Sequence, residues 1–243
     1  MTKTLRRATN QRRLLLRAKP LTPENYRNAI YLDFEGEGKK RDGTVPTPHM
    51  AGLFRPNQKG TSGKYTCVFF SPLWKVVSNH FHKESVLEDF NSYFENLSLE
   101  LNVTKQYLVF WSIHEEMILK KFLPDSTFER LRCRLHNLHP IARRYVTRRR
   151  KFGTNESAKG KTLEEFFAVL YKKRHPYPPF PLGAAKACRL IDKACMKHKR
   201  WNKFDKTQQN SVDALVEYNS GDCKSTWLIA KRLGNSHVSK SNS

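Results

Sequence analysis

The stretch Ala29-Ile30-Tyr31-Leu32-Asp33-Phe34-Glu35 decides the reading of this chain. In a strand alternate side chains point to opposite faces, so Ile30, Leu32 and Phe34 line one face while Asp33 and Glu35 project together from the other. Two carboxylates confined to one small volume repel, and burying them is costly unless something cationic binds between them. A hard divalent ion, which prefers oxygen ligands, meets that need. The competing account is an edge strand with both acids in solvent, and the apolar flanks count against it.

The chain has 243 residues, of which 38% are hydrophobic, enough for one substantial core. It contains no apolar run of membrane-spanning length, so a soluble protein with no membrane partner is expected. Lys and Arg number 45 against 22 Asp and Glu, a formal charge of +23. Such an excess repels itself unless a polyanion offsets it, and nucleic acid is the leading partner. The five cysteines show neither CxxC pairs nor Cys/His ligand spacing, which predicts reduced thiols in a cytoplasmic protein rather than a disulfide framework or structural zinc. The first acid is Glu24, so the chain opens on a basic segment. Residues 1–25 read as a basic N-terminal arm, 26–234 as one domain and 235–243 as a disordered tail.

Outward from the first strand, His49 to Phe54 and Lys64 to Phe70 read as two more strands in an antiparallel meander. Glu84 to Leu101 has helical periodicity, and Tyr107 to Trp111 returns as a short strand. Helices follow at 117–123, 127–149, 162–174, 184–201 and 211–233. The expected fold class is therefore α/β: a mixed sheet, its first three strands antiparallel and the rest parallel, flanked by helices, with a helical C-terminal half.

Two further acids fall on inward faces. In the last helix, seven-residue steps from Asp222 land on Leu215 and Ile229, which puts Asp222 on the apolar stripe, with Tyr218 one turn earlier on the same face. The competing account of a carboxylate there needs a buried partner such as an Arg. Glu115 has Leu119 and Phe122 at plus four and plus seven, and so starts the buried face of its helix. Ser112 with Glu115 also matches a capping box, which by itself accounts for a Glu at that position. Glu116 is the fallback, and His114 is either a polar cap or a contact to phosphate or metal.

These motifs, in this order, resemble the DEDD superfamily of 3′-5′ exonucleases, which have a ribonuclease H-like fold, in the branch whose last motif is Tyr-x-x-x-Asp. Asp33-Phe34-Glu35 matches the first motif and Tyr218-Asn219-Ser220-Gly221-Asp222 the third. The second departs from the usual Asn-x-x-Phe-Asp pattern, offering Trp111-Ser112-Ile113-His114-Glu115-Glu116 instead. The resemblance implies a nuclease using two Mg²⁺ or Mn²⁺ ions, with Asp33 bridging them, Glu35 and Asp222 completing one shell, Glu115 acting on the second ion through water, and Tyr218 orienting the attacking water. The basic clusters then have a task on nucleic acid: Arg143, Arg144, Arg148, Arg149 and Arg150, with Tyr145 interleaved, and Lys199 and Arg200 with Trp201. Trp111, Phe54 or Tyr31 is available to stack a terminal base, and each also fits the core. The alternative within the same fold is a catalytically inactive nucleic-acid-binding module.

Overall fold

The computed structural model describes residues 21–38, 42–81, 84–151, 162–173, 175, 176, 180 and 182–241, with the side chains of 148–151 and 237–241 excepted. Its centre is β1 (Ala29–Glu35), bounded as its sequence predicts. β1 pairs antiparallel with β2 (Met50–Pro56), which pairs antiparallel with β3 (Gly63–Phe69). On its other side β1 runs parallel to β5 (Tyr107–Phe110), and β5 to β6 (Leu135–Asn137). With β4 (Ser85–Leu87) parallel to the outer edge of β3, the six-stranded mixed sheet has the order β4-β3-β2-β1-β5-β6. The α/β class and the antiparallel-then-parallel sheet are those expected.

Nine α-helices are found among the described residues: α1 (Pro23–Arg27), α2 (Lys75–His80), α3 (Phe90–Thr104), α4 (Ile113–Phe122), α5 (Asp125–Arg132), α6 (His139–Lys151), α7 (Leu163–Tyr171), α8 (Ala184–Lys197) and α9 (Lys206–Ser241). Ile30, Leu32 and Phe34 point to the sheet face covered by α3, α4 and α5, and pack with Phe90, Phe94, Leu101, Ile118 and Leu131. The opposite face carries Asp33 and Glu35 and is covered by α6 to α9. There Tyr31 and Phe54 meet Phe166, Trp227 and Ile229, and Met50 and Phe69 meet Cys188, Ile191 and Leu215. At 36 residues α9 is about 54 Å long and spans that face.

Three predicted elements differ. The helix expected from Glu84 starts only at Phe90, because Asp89 is its N-cap, accepting from the backbone N–H of Asn91 and Ser92 at 2.9 and 3.0 Å. Val86 and Leu87, within the range expected to be helical, lie on edge strand β4 and are 40% and 37% exposed. Asp89→Ala is expected to cost about 1 kcal/mol, read as a lower urea midpoint at unchanged slope. The helix expected over 127–149 is split by β6, for Pro140 lacks the N–H an interior helical residue needs and sits instead in the first turn of α6. The last helix begins five residues earlier and continues to Ser241 rather than ending at 233.

The chain ends also differ from their sequence reading. Within the expected arm, Leu21 is buried, and α1 packs against the C-terminal part of α9. Within the expected tail, Asn235 accepts from Tyr26 Oη at 3.1 Å and Ser236 from Tyr145 Oη at 3.0 Å. Residues 1–20 and 242–243 lie outside the described residues.

Candidate active site

Asp33, Glu115, Tyr218 and Asp222 line one cavity of about 340 Å³ with Trp111, Ser112, His139, Thr162, Leu163, Glu164 and Thr226. Residues 189 positions apart in the chain thus meet because β1 ends where α9 crosses the sheet and where β5 hands over to α4. No Lys or Arg lines the cavity among the described residues. Among the described residues, and in a chain of +23, no buried arginine pairs with Asp222 in this space.

Glu35 faces the same side of β1 but opens onto a neighbouring cavity of about 220 Å³, lined also by Gly38, Pro48, His114 and Ala185. The carboxyls of Asp33 and Glu35 project from the same face of β1 and repel each other out of water. Burial, then the charges of Glu35, Asp222 and Glu115, hold Asp33 well above the usual carboxylate range. Burial and the charge of Asp222 push Glu35 up to about 8. Burial, against the hydrogen bond from Tyr218, pushes Asp222 up to about 7. The four acids therefore sense one another, although they come from three elements.

Glu115 has both roles that its sequence allows. Its Oε2 accepts from Ser112 N at 3.0 Å and Ser112 Oγ at 2.8 Å, a capping box at the start of α4, and the residue is 6% exposed and lines the cavity. Burial raises its pKa against those hydrogen bonds. Glu116 is half-buried, outside the cavity lining, and near the charges of Arg132 and Lys120. Tyr218 lines the cavity with Asp222, and burial followed by the Asp222 charge raises the pKa of its hydroxyl, which stays protonated.

The residues lining the cavity that sequence reading passed over are His139, Thr162 and Glu164. Glu164 sits in the first turn of α7, and its charge helps to raise Asp222. The N-cap of α7 is Thr162, which forms a capping box with Glu165. His139 follows β6, the strand missed, and packs with Trp111 and Phe166 at ring separations of 5.3 and 5.4 Å. Of the three aromatic residues proposed to stack a base, Trp111 is partly exposed in the cavity, whereas Tyr31 and Phe54 are 0% and 2% exposed and belong to the core.

The two basic clusters separate. Arg143 is exposed one turn beyond His139, whose pKa is lowered by burial and by the Arg143 charge. Arg144 is half-buried, with Nε donating to the Pro140 carbonyl at 3.4 Å. The side chains of Arg148, Arg149 and Arg150 are outside the described residues. Lys199 and Arg200 are exposed, but they follow the C-terminal end of α8, about 20 Å along that helix from Ala185 beside the Glu35 cavity. Trp201 is stacked on His80, ring centroids 3.9 Å apart, and packs on Phe204, so its face serves the core rather than a strand of nucleic acid.

A second group with metal-ligating side chains lies beyond Glu35. Ligand atoms of Glu37, His49 and Asp192 are all within 4.8 Å of one another. His49 Nε2 lies 2.8 Å from Asp192 Oδ2, and Trp74 Nε1 donates to Asp192 Oδ1 at 2.7 Å. Against the effect of burial, these bonds hold Asp192 below the usual carboxylate range. They join α8 to the start of β2, a structural role sufficient to account for the group. No protein-family model matches the chain, and no curated protein matches it.

Proposed function

We propose that this protein is a two-metal-ion nuclease that removes nucleotides from the 3′ end of DNA or RNA. The observation that carries the reading is the meeting of Asp33, Glu115 and Asp222 in a cavity lined by no Lys or Arg among the described residues, with the buried Glu35 next to Asp33 on the same face of β1. The donor set fits Mg²⁺ or Mn²⁺: the carboxylates are oxygen ligands, and Asp222 Oδ1 is buried without a hydrogen-bond partner. Two bound ions supply charge stabilisation at the attacking and leaving oxygens of a phosphodiester. Asp33 and Asp222, from opposite walls, are the residues to hold them, with Glu35 supporting Asp33 and Glu115 reaching the site from α4.

Tyr218 has a positioning task. It lines the cavity with Asp222, and its protonated hydroxyl orients water by hydrogen bonding, a role that needs geometry rather than a shifted acidity. Trp111 offers a ring face to a terminal base, and Arg143 is a cation for phosphate at the rim. Trp111→Ala is expected to weaken binding of a single strand by about 1 to 3 kcal/mol, measured by fluorescence anisotropy in Ca²⁺.

The direct test is release of mononucleotides from single strands labelled internally, with free or blocked 3′ ends, in Mg²⁺ and in EDTA. Release that needs both Mg²⁺ and a free 3′ end, and that is lost in Asp222→Ala prepared alongside, supports the proposal. Equal release from blocked ends, or in the Asp222 variant, contradicts it.

A further inference from the structure

We propose that Asn219 is a positioning residue that clamps the carboxylate of Asp33 for metal binding, an inference resting on the metal-site reading above. Asn219 is 0% exposed and lies on α9 between the two motif residues Tyr218 and Asp222. Its Nδ2 donates to Asp33 Oδ2 at 2.8 Å and to the Asp33 main-chain carbonyl at 3.3 Å. Its Oδ1 accepts from Tyr65 Oη at 2.8 Å, and Tyr65 Oη accepts in turn from Cys67 Sγ at 3.2 Å.

The direction of this relay follows from its chemistry. An ionised carboxylate only accepts, so the amide must turn its NH₂ to the acids, and a phenol that donates to Oδ1 holds it that way round. The sheet makes room for the arrangement: Gly52, paired with Asp33 across β1 and β2, has no side chain, and a Cβ there would lie 1.6 Å from Asn219 Oδ1. A buried amide is costly unless its hydrogen bonds are made, and an apolar side chain would serve if packing were the only demand. Here the bonds all go to Asp33 and to the tyrosine that orients the amide. One Asp33 oxygen is thereby fixed against α9, leaving the other for the cavity that Asp33 lines. Partners that orient ligating side chains are worth about 10- to 100-fold in metal affinity.

The test is calorimetric titration of Mn²⁺ into full-length wild type, Asn219→Ala, Tyr65→Phe and Asp33→Asn, with melting temperatures in EDTA for each. Asn219→Ala is expected to bind Mn²⁺ about 10- to 100-fold more weakly. Tyr65→Phe keeps the ring and frees the amide to turn, so about a three- to tenfold loss is expected. A merely structural asparagine would lower the EDTA melting temperature and leave the Mn²⁺ affinity of the folded protein unchanged. If Asn219→Ala fails to fold, Tyr65→Phe decides by itself. Wild-type affinity in the folded variants overturns the clamp and leaves the metal site standing. No Mn²⁺ binding by wild type overturns the metal reading and the clamp with it.

Discussion

Asp33→Asn is expected to reduce Mg²⁺-dependent hydrolysis by about 10³-fold or more and, with metal removed, to make the protein more stable at pH 8. The first effect follows from losing the central ligand of the proposed site, where charge stabilisation of several kcal/mol is concentrated. The second follows from like charges packed together and out of water. Burial and mutual repulsion raise Asp33, push Glu35 up to about 8 and push Asp222 up to about 7, so the metal-free native state keeps protons that the unfolded chain has released. Where the native state binds more protons, stability falls as pH rises. The window runs from about pH 4, the unfolded carboxylate range, up to the raised native values. Asp33→Asn removes one of these acids and keeps its shape, and is expected to stabilise the metal-free protein at pH 8 and to change it little at pH 4. Melting curves in EDTA across that range, for wild type and variant, check the sign. Mg²⁺ should raise the wild-type melting temperature more at pH 8 than at pH 5, because binding must displace protons. A variant less stable than wild type at pH 8 in EDTA contradicts this picture of a strained acid cluster.

Gly52→Ala is expected to be among the most damaging single-methyl additions in the protein. Gly52 lies within the buried central part of β2, and the added Cβ would meet Asn219 Cγ and Tyr65 Cε2 at 2.8 Å as well as Asn219 Oδ1. Neither side can yield cheaply: the strand is held by ladders to β1 and β3, and α9 is tied to it by Cys223 Sγ donating to the Gly52 carbonyl at 3.3 Å. Overpacking of this kind costs about 3 kcal/mol. Moving α9 away would also pull Asn219 off Asp33, so activity of the folded fraction should fall together with stability. The check is urea denaturation alongside the hydrolysis assay. A change of less than about 1 kcal/mol, against the usual cost of overpacking, means that α9 does not sit this close to the sheet.

What could be read in the sequence, and what could not, divides along physical lines. β1 was legible because its alternation is strong, and Asp222 because seven-residue steps tie it to Leu215 and Ile229, both 0% exposed. β4 and β6 were not, because three-residue strands owe their conformation to the strands they pair with rather than to their own side chains. Pro140 was the signal that the helix expected over 127–149 had to break. The place of Glu115 was legible but divided between cap and site, and the structure puts it in both. The link from Asn219 to Asp33 has one trace in the sequence, the glycine in the apolar run Met50-Ala51-Gly52-Leu53-Phe54, which marks a strand approached closely by another element. His139 and Glu164 reach the cavity through the packing of α6 and α7, for which no local pattern stands.

The account rests on a pair of hard cations held between β1 and α9, and anomalous diffraction from crystals grown with Mn²⁺ tests it most directly. It predicts two Mn²⁺ peaks about 3.5 to 4 Å apart beside Asp33 and Asp222. Density for Mn²⁺ only among Glu37, His49 and Asp192, or none at Asp33 at millimolar Mn²⁺, would contradict it.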